Sequence, residues 1–310
     1  MALPIFLDVA APVALFMSLF SVLGAIEIGL IFSLVALGVF ISFRLLRFPD
    51  LTVDGSFPLG GAVCAILIAH GTNPWLATLA GTAAGAFAGF ITGWLNVKLK
   101  IMDLLASILM MIGLYSINLR VMGGPNVPLI NEPTLFTMLQ PDNIEDYVMR
   151  PIILLGFVIV AKLALDWFFA TERGLAIRST GSNARMARAQ GVNTGAMILL
   201  GMAISNGLVG LAGALFVQTQ GGSDISMGIG TIVIGLAAVI VGETILPSRK
   251  IIWATLAVVI GAVVYRFFIA AALNIDAIGL KAQDLNLVTA VLVTIALIIP
   301  QIKKKLSKRK

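Results

Sequence analysis

The sequence predicts an all-α polytopic membrane protein with about eight to nine transmembrane helices, one of them broken or re-entrant. Three observations predict it. Hydrophobic residues make up 59% of the chain and charged residues 12%, with a mean hydropathy of +1.03, well beyond the apolar share of a soluble domain. Apolar runs recur nine times, and every run that spans must be helical because lipid offers no partner to an open backbone. One run is interrupted by Pro49, Pro58 and three glycines over Phe48 to Gly61, where no regular helix is expected. The whole chain, 1–310, therefore reads as a single transmembrane domain.

The net charge of +6 does not point to nucleic acid. Of the 21 Lys and Arg, six lie after Gln301, in the basic tail 302–310, and the remaining fifteen balance the 15 acids. A basic tail directly after an apolar run reads as a cytoplasmic anchor beside anionic headgroups. A lone Cys64 forms no intrachain disulfide, and with a lone His70 it makes no Cys–His metal site; both read as packing or edge residues. Residues Met1 to Pro12 lack the basic start of a cleaved signal.

In chain order, the first apolar segment, Val13 to Phe43, would be about 46 Å long as one helix, so it is tilted or partly outside the bilayer. Glu27 lies in its middle, where a carboxylate turns toward protein or water. After Arg44 and Arg47 comes FPDLTVDGSFPLGG. Here Asp50, Thr52, Asp54 and Ser56 are candidates for the polar lining of a pathway if the helix is broken at depth; the other reading is a cytoplasmic turn leading into a short helix.

The third segment, Pro74 to Val97, carries Gly81, Gly85, Gly89 and Gly93 at intervals of four. Each step turns about 40° past a full circle, so the four form a slowly winding smooth stripe that lets another helix approach closely. Lys98 and Lys100 mark an inner loop, and Met102 to Leu119 returns outward with Asp103, Ser107 and Asn118. Residues 121–150 form the main outer loop, which has four prolines and contains no base from Val121 to Met149. Its prolines predict a structured surface rather than a long helix.

Pro151 to Ala170 crosses inward to the arginine loop 171–194, TERGLAIRSTGSNARMARAQGVNT, which holds Arg173, Arg178, Arg185 and Arg188 against Glu172. Such a loop belongs on the cytoplasmic side. Ser182 or Asn183 can cap a helix of about two turns there, and Gly191 can end it in the left-handed conformation. It reads either as a solvated charged loop or as a docking helix for a cytoplasmic partner. Gly195 to Val217 crosses back with Asn206 at depth, and an outer loop, Gln218 to Ser226, precedes two more spans split by Gly242 to Lys250. A last outer turn, Asn274 to Asp284, leads to the final span ending at Pro300.

Several chemistries are missing. The chain has no GxxxxGK[ST] phosphate loop, no HExxH, no GxSxG and no intramembrane acid–base pair spaced as a proton relay, and a lone histidine supplies little acid–base chemistry at neutral pH. Transport remains, driven by an ion gradient or by a partner that hydrolyses nucleotide.

The loop GLAIRSTGSNARMARAQGVNT, followed by NGLVGLAGAL, resembles the permease subunits of bacterial ABC importers of the branched-chain amino acid and ribose type. FPDLTVDGSFPLGGAV and GGPNVPLI look like the subgroup of tryptophan or tyrosine permeases. The resemblance implies a multi-pass protein of the bacterial cytoplasmic membrane, without a cofactor, that forms the path for an amino acid, aromatic in this subgroup. It also implies a separate ATPase docking at Ser182, Asn183, Arg185, Met186, Arg188 and Gly191, an extracytoplasmic solute-binding protein, and a second permease copy. Where another branch of importers carries Glu-Ala-Ala, this chain has Arg185, Met186 and Ala187, and Gly191 alone matches. Candidates for the path are Asp50, Thr52, Asp54, Ser56, Asn118 and Asn206. The rival is an ion-coupled secondary transporter, with Glu27, Asp54 and Asp103 as cation or proton sites.

Overall fold

The computed structural model describes residues 19–140, 146–248 and 250–273, together with Val291 and Thr294. The residues before Leu19, Pro141 to Glu145, Arg249, the turn Asn274 to Asp284, the rest of the final span and the basic tail lie outside the described residues.

Within them, seven helices are long and apolar enough to cross a membrane, and an eighth apolar helix is shorter. Helix α1 (Leu19–Val39) is apolar apart from Ser21, Glu27 and Ser33 and continues as a π-turn, Phe40–Leu45. A non-helical link then leads to the short helix α2 (Val53–Ala69). Pro58 sits inside α2, which corrects the expectation that no regular helix crosses this stretch. The proline removes a single internal bond and frees the carbonyl of Asp54, against which Gly228 packs so closely that any Cβ there would collide.

Helices α3 (Pro74–Val97) and α4 (Asp103–Met122) follow. Beyond them come strand β1 (Asn126–Pro128) and the short helix α5 (Leu135–Leu139), so the excursion after α4 is structured. Helix α6 (Asp146–Ala170) leads into α7 (Glu172–Ser182) and α8 (Ala184–Ala189). The arginine stretch thus holds two helices where the sequence predicts one. Helix α9 (Thr194–Gln220) runs back to strand β2 (Gly222–Asp224), a 3₁₀ turn (Ile225–Gly228), α10 (Thr231–Ile245) and α11 (Ile251–Leu273).

The expected outer loop from Gln218 to Ser226 is more ordered than a loop. Its first residues end α9, and β2 pairs antiparallel with β1, with Val127 opposite Ser223. This two-stranded sheet closes one end of the bundle; the turns carrying Arg44, Lys98 and the α7–α8 pair gather at the other.

The core is built on two seams. Helix α3 turns Gly85, Gly89 and Gly93 onto α9, where a Cβ on Gly85 would lie 2.4 Å from the Asn206 carbonyl and one on Gly93 would lie 3.3 Å from Leu199, while Gly81 sits where α2 and α9 meet, its Cβ position 2.5 Å from the Gly60 carbonyl of α2 and 3.2 Å from Ala214 of α9. Helix axes this close gain dispersion contact that bulkier residues would forbid. On the other side of α9, Phe32 of α1, Phe57 of α2 and Phe216 of α9 pack ring on ring, with centroids 5.4–6.4 Å apart.

Candidate functional site

The link between the π-turn and α2 brings polar side chains into the middle of the bundle. Asp50, 2% exposed, accepts the Thr52 backbone N–H at 3.0 Å on one carboxylate oxygen and the Asn206 side-chain amide at 2.7 Å on the other. Ser56 donates to the Asn206 oxygen at 2.7 Å, and the hydroxyls of Thr52 and Thr92 lie 2.9 Å apart. Asn206 stands near the midpoint of α9, so the carboxylate is held at depth by hydrogen bonds, away from any cation among these partners. Backbone outside a helix is tolerated at such depth only when protein encloses it, and α3, α4 and α9 do so here. Ser107 of α4 donates to the Pro49 carbonyl at 3.2 Å.

Asp54 does different work. Its two oxygens accept Gly230 N at 3.2 Å and Ile232 N at 2.8 Å, capping α10 and pinning it to α2. Beside it, Asn118 donates to the Gly55 carbonyl at 3.2 Å. Asp54 and Asn118 both line an open cavity of about 410 Å³ between α2, α4 and the turn at Ile225–Ile229.

At the arginine end, Asn183 caps α8 by accepting Met186 N at 3.1 Å, and Gly191 closes it with φ +84°, a conformation that costs glycine little. Ser182 instead ends α7. Ser182, Asn183, Arg185, Met186, Arg188 and Gly191 are all exposed, while Ala187 between them is buried. Three contacts tie this segment to the spans. Gly181 lies on the backbone of Leu45 and Leu46, Gly174 on that of Phe168 and Phe169, and the Leu46 side chain seats against Gly201 of α9. Leu46 is four residues from Asp50, so an exposed helix is joined to the buried polar group through a few packed atoms.

Residues 21–299 match the family described as branched-chain amino acid transport system / permease component. The chain belongs to this family. The permease is 41% identical over 266 residues to a tyrosine transport system permease protein of Clostridioides difficile, covering 86% of each chain. It is 25% identical to a ribose import permease protein of Escherichia coli, over 82% of this chain and 78% of that one, and 28% identical to a nucleoside ABC transporter permease protein of Lactococcus lactis, over 55% and 57%. No solved structure matches it significantly. The permease is thus a multi-pass subunit of an ABC-type importer of the cytoplasmic membrane, the reading its sequence motifs imply.

Of the residues singled out by sequence, the structure gathers Asp50, Thr52, Ser56 and Asn206 into one network and sets Asp54 and Asn118 together on the cavity. The three acids of the ion-coupled alternative do not converge. Asp103 accepts the Asn96 side-chain amide at 2.5 Å in the turn between α3 and α4, Glu27 is on α1, and among the described residues no group of acids is placed to hold an ion.

One acid–base pair does form within a span, although as an ion pair on a single helix rather than as a relay. Lys162 and Asp166, one turn apart on α6, form an ion pair, and Thr255 of α11 donates to the free Asp166 oxygen at 2.7 Å. Their i, i+4 spacing is the signal that sequence reading passed over. Gln218 was also missed: it donates to Thr78 at 2.9 Å and accepts Leu135 N at 2.9 Å, joining α9, α3 and α5. A lone glutamine at a helix end carries no such signal.

Proposed function

We propose that the permease imports an aromatic amino acid, tyrosine first among candidates, as one of two identical copies enclosing a path, driven by a separate ATPase seated on Ser182 to Gly191. The contact of Gly181 with Leu45 and Leu46 is the observation that carries the coupling. Displacement of α7 and α8 would press on the π-turn that ends α1, and from there on the link that positions Asp50. In this reading Asp50, Thr52, Ser56 and Asn206 form the closed polar wall of the path, and Asp54 and Asn118 face its open part.

The solute class is supported by the tyrosine transport relative. In this reading, the end bearing Arg44, Lys98, Arg185 and Arg188 is cytoplasmic by the positive-inside rule. The β1–β2 sheet and α5 then face outward, a surface for a solute-binding protein. Exposed apolar residues such as Leu79, Phe87, Leu163 and Trp167 meet lipid.

The test is reconstitution in liposomes. With ATPase and binding protein present, tyrosine uptake should require ATP; uptake by the permease alone, driven by a proton or sodium gradient, would refute the reading.

A further inference from the structure

We infer that the cavity beside Asp54 and Asn118 is a solute-contact site that takes the ammonium end of an amino acid while its apolar or aromatic side chain lies against Met111, Ile112, Tyr115 and Ile229. The inference rests on the import reading above and deepens it by assigning a place and an orientation to the solute.

The cavity, about 410 Å³, falls in the range of roughly 300–1,000 Å³ usual for small-molecule sites. Its walls are mostly apolar side chains with a few polar groups set among them, the composition such sites share. Asn118 is 1% exposed; its amide nitrogen donates to the Gly55 carbonyl, and its side-chain oxygen has no hydrogen-bond partner among the described residues. An unmet acceptor in a buried place is unfavourable, so its persistence beside a cavity points to a donor that arrives with a ligand.

Asp54 narrows the chemistry. Its oxygens hold the Gly230 and Ile232 N–H groups, and a carboxylate with about four lone-pair sites keeps capacity for more donors. Two acceptor residues lining one cavity, one of them anionic, call for a ligand group that is all donor and positively charged. An ammonium meets that description. Tyr115 and Ser116 carry hydroxyls at the rim, within the same lining, and can donate to a solute carboxylate.

The mouth opens on the exposed face of α4, at Ile112, Tyr115 and Ser116. A carboxylate is costly against hydrocarbon, so this face looks onto a water-filled path rather than onto lipid tails.

The test is site protection on the full-length permease in lipid nanodiscs. Cys64 is buried, so Ser116→Cys places an exposed thiol at the rim, and Ile229→Cys, 72% exposed in the native residue, places a second reporter on the opposite side. L-tyrosine should slow maleimide labelling at either position, about tenfold once nine-tenths of the sites are filled. Tyramine, which keeps the ammonium and lacks the carboxylate, should protect. 3-(4-Hydroxyphenyl)propanoate, which lacks the ammonium, should not. Equal protection by the deaminated acid, or labelling at both positions unchanged by tyrosine up to its solubility limit, overturns the inference, as does protection by phospholipid alone. Import is scored separately by ATP-driven uptake of the wild-type complex, so loss of the site leaves the import reading standing, and protection without uptake does the reverse.

Discussion

Asn206 of α9 donates its side-chain amide to the Asp50 carboxylate at 2.7 Å, joining residues 156 positions apart in the middle of the bundle. Asn206 also accepts from Ser56, so one side chain satisfies two partners on the link and the first turns of α2.

Replacing Asn206 by Leu should therefore leave both Asp50 and Ser56 short of a partner. The expected loss is about 2–3 kcal/mol, the range for a hydrogen bond to a charged group with its desolvation. Asp50→Asn, which keeps shape and some of the bonding, should lose less. Thermal unfolding of the purified variants in one detergent gives the order, and an unchanged midpoint for Asn206→Leu would show that the network does not hold the link.

Gly181 has a mechanical role in this account. Because a Cβ there would overlap the Leu45 carbonyl, Gly181→Ala must push α7 off the end of α1. Overpacking of this kind costs about 1–3 kcal/mol. The ATPase should still co-purify, since Ser182 to Gly191 are untouched, while uptake per ATP falls by about tenfold, the factor that about 1.4 kcal/mol of lost coupling gives. Tight coupling in Gly181→Ala would remove this contact from the transmission path.

Lys162 and Asp166 support a third prediction. Lys162→Met leaves a carboxylate without its cation at depth, an expected loss of about 3–5 kcal/mol, whereas the double change K162M/D166L removes both charges and should recover most of it. Comparing midpoints of the single and double variants decides this. A double variant no more stable than K162M would mean the pair is held for its geometry with α11 rather than for charge balance.

How much of this was legible in the chain follows from how local each signal is. Asn183 and Gly191 are readable as the two ends of one short helix because a cap and a left-handed closure are set by neighbouring residues. The glycines at 81, 85, 89 and 93 declare a smooth face through their spacing alone, although nothing in them names α9 as the partner. Pro58 misleads: its ring argues against a helix, yet the free Asp54 carbonyl packs against Gly228, a residue 174 positions away that no local rule points to. The β1–β2 pair is three residues on each side with no alternating pattern, so a turn and an open loop were the natural reading. The seat of Gly181 on Leu45 is likewise a meeting of distant segments that arises only on folding.

The most direct measurement is on the exposed face of α8, in the complex of permease and ATPase. With Arg185→Glu and Arg188→Glu together, both charges at the expected docking helix are reversed while the Asn183 cap and Gly191 remain. The account predicts that the ATPase no longer co-purifies and that ATP-driven tyrosine uptake is lost, with the permease itself folded to the same thermal midpoint. Normal co-purification and normal uptake by that variant would contradict it.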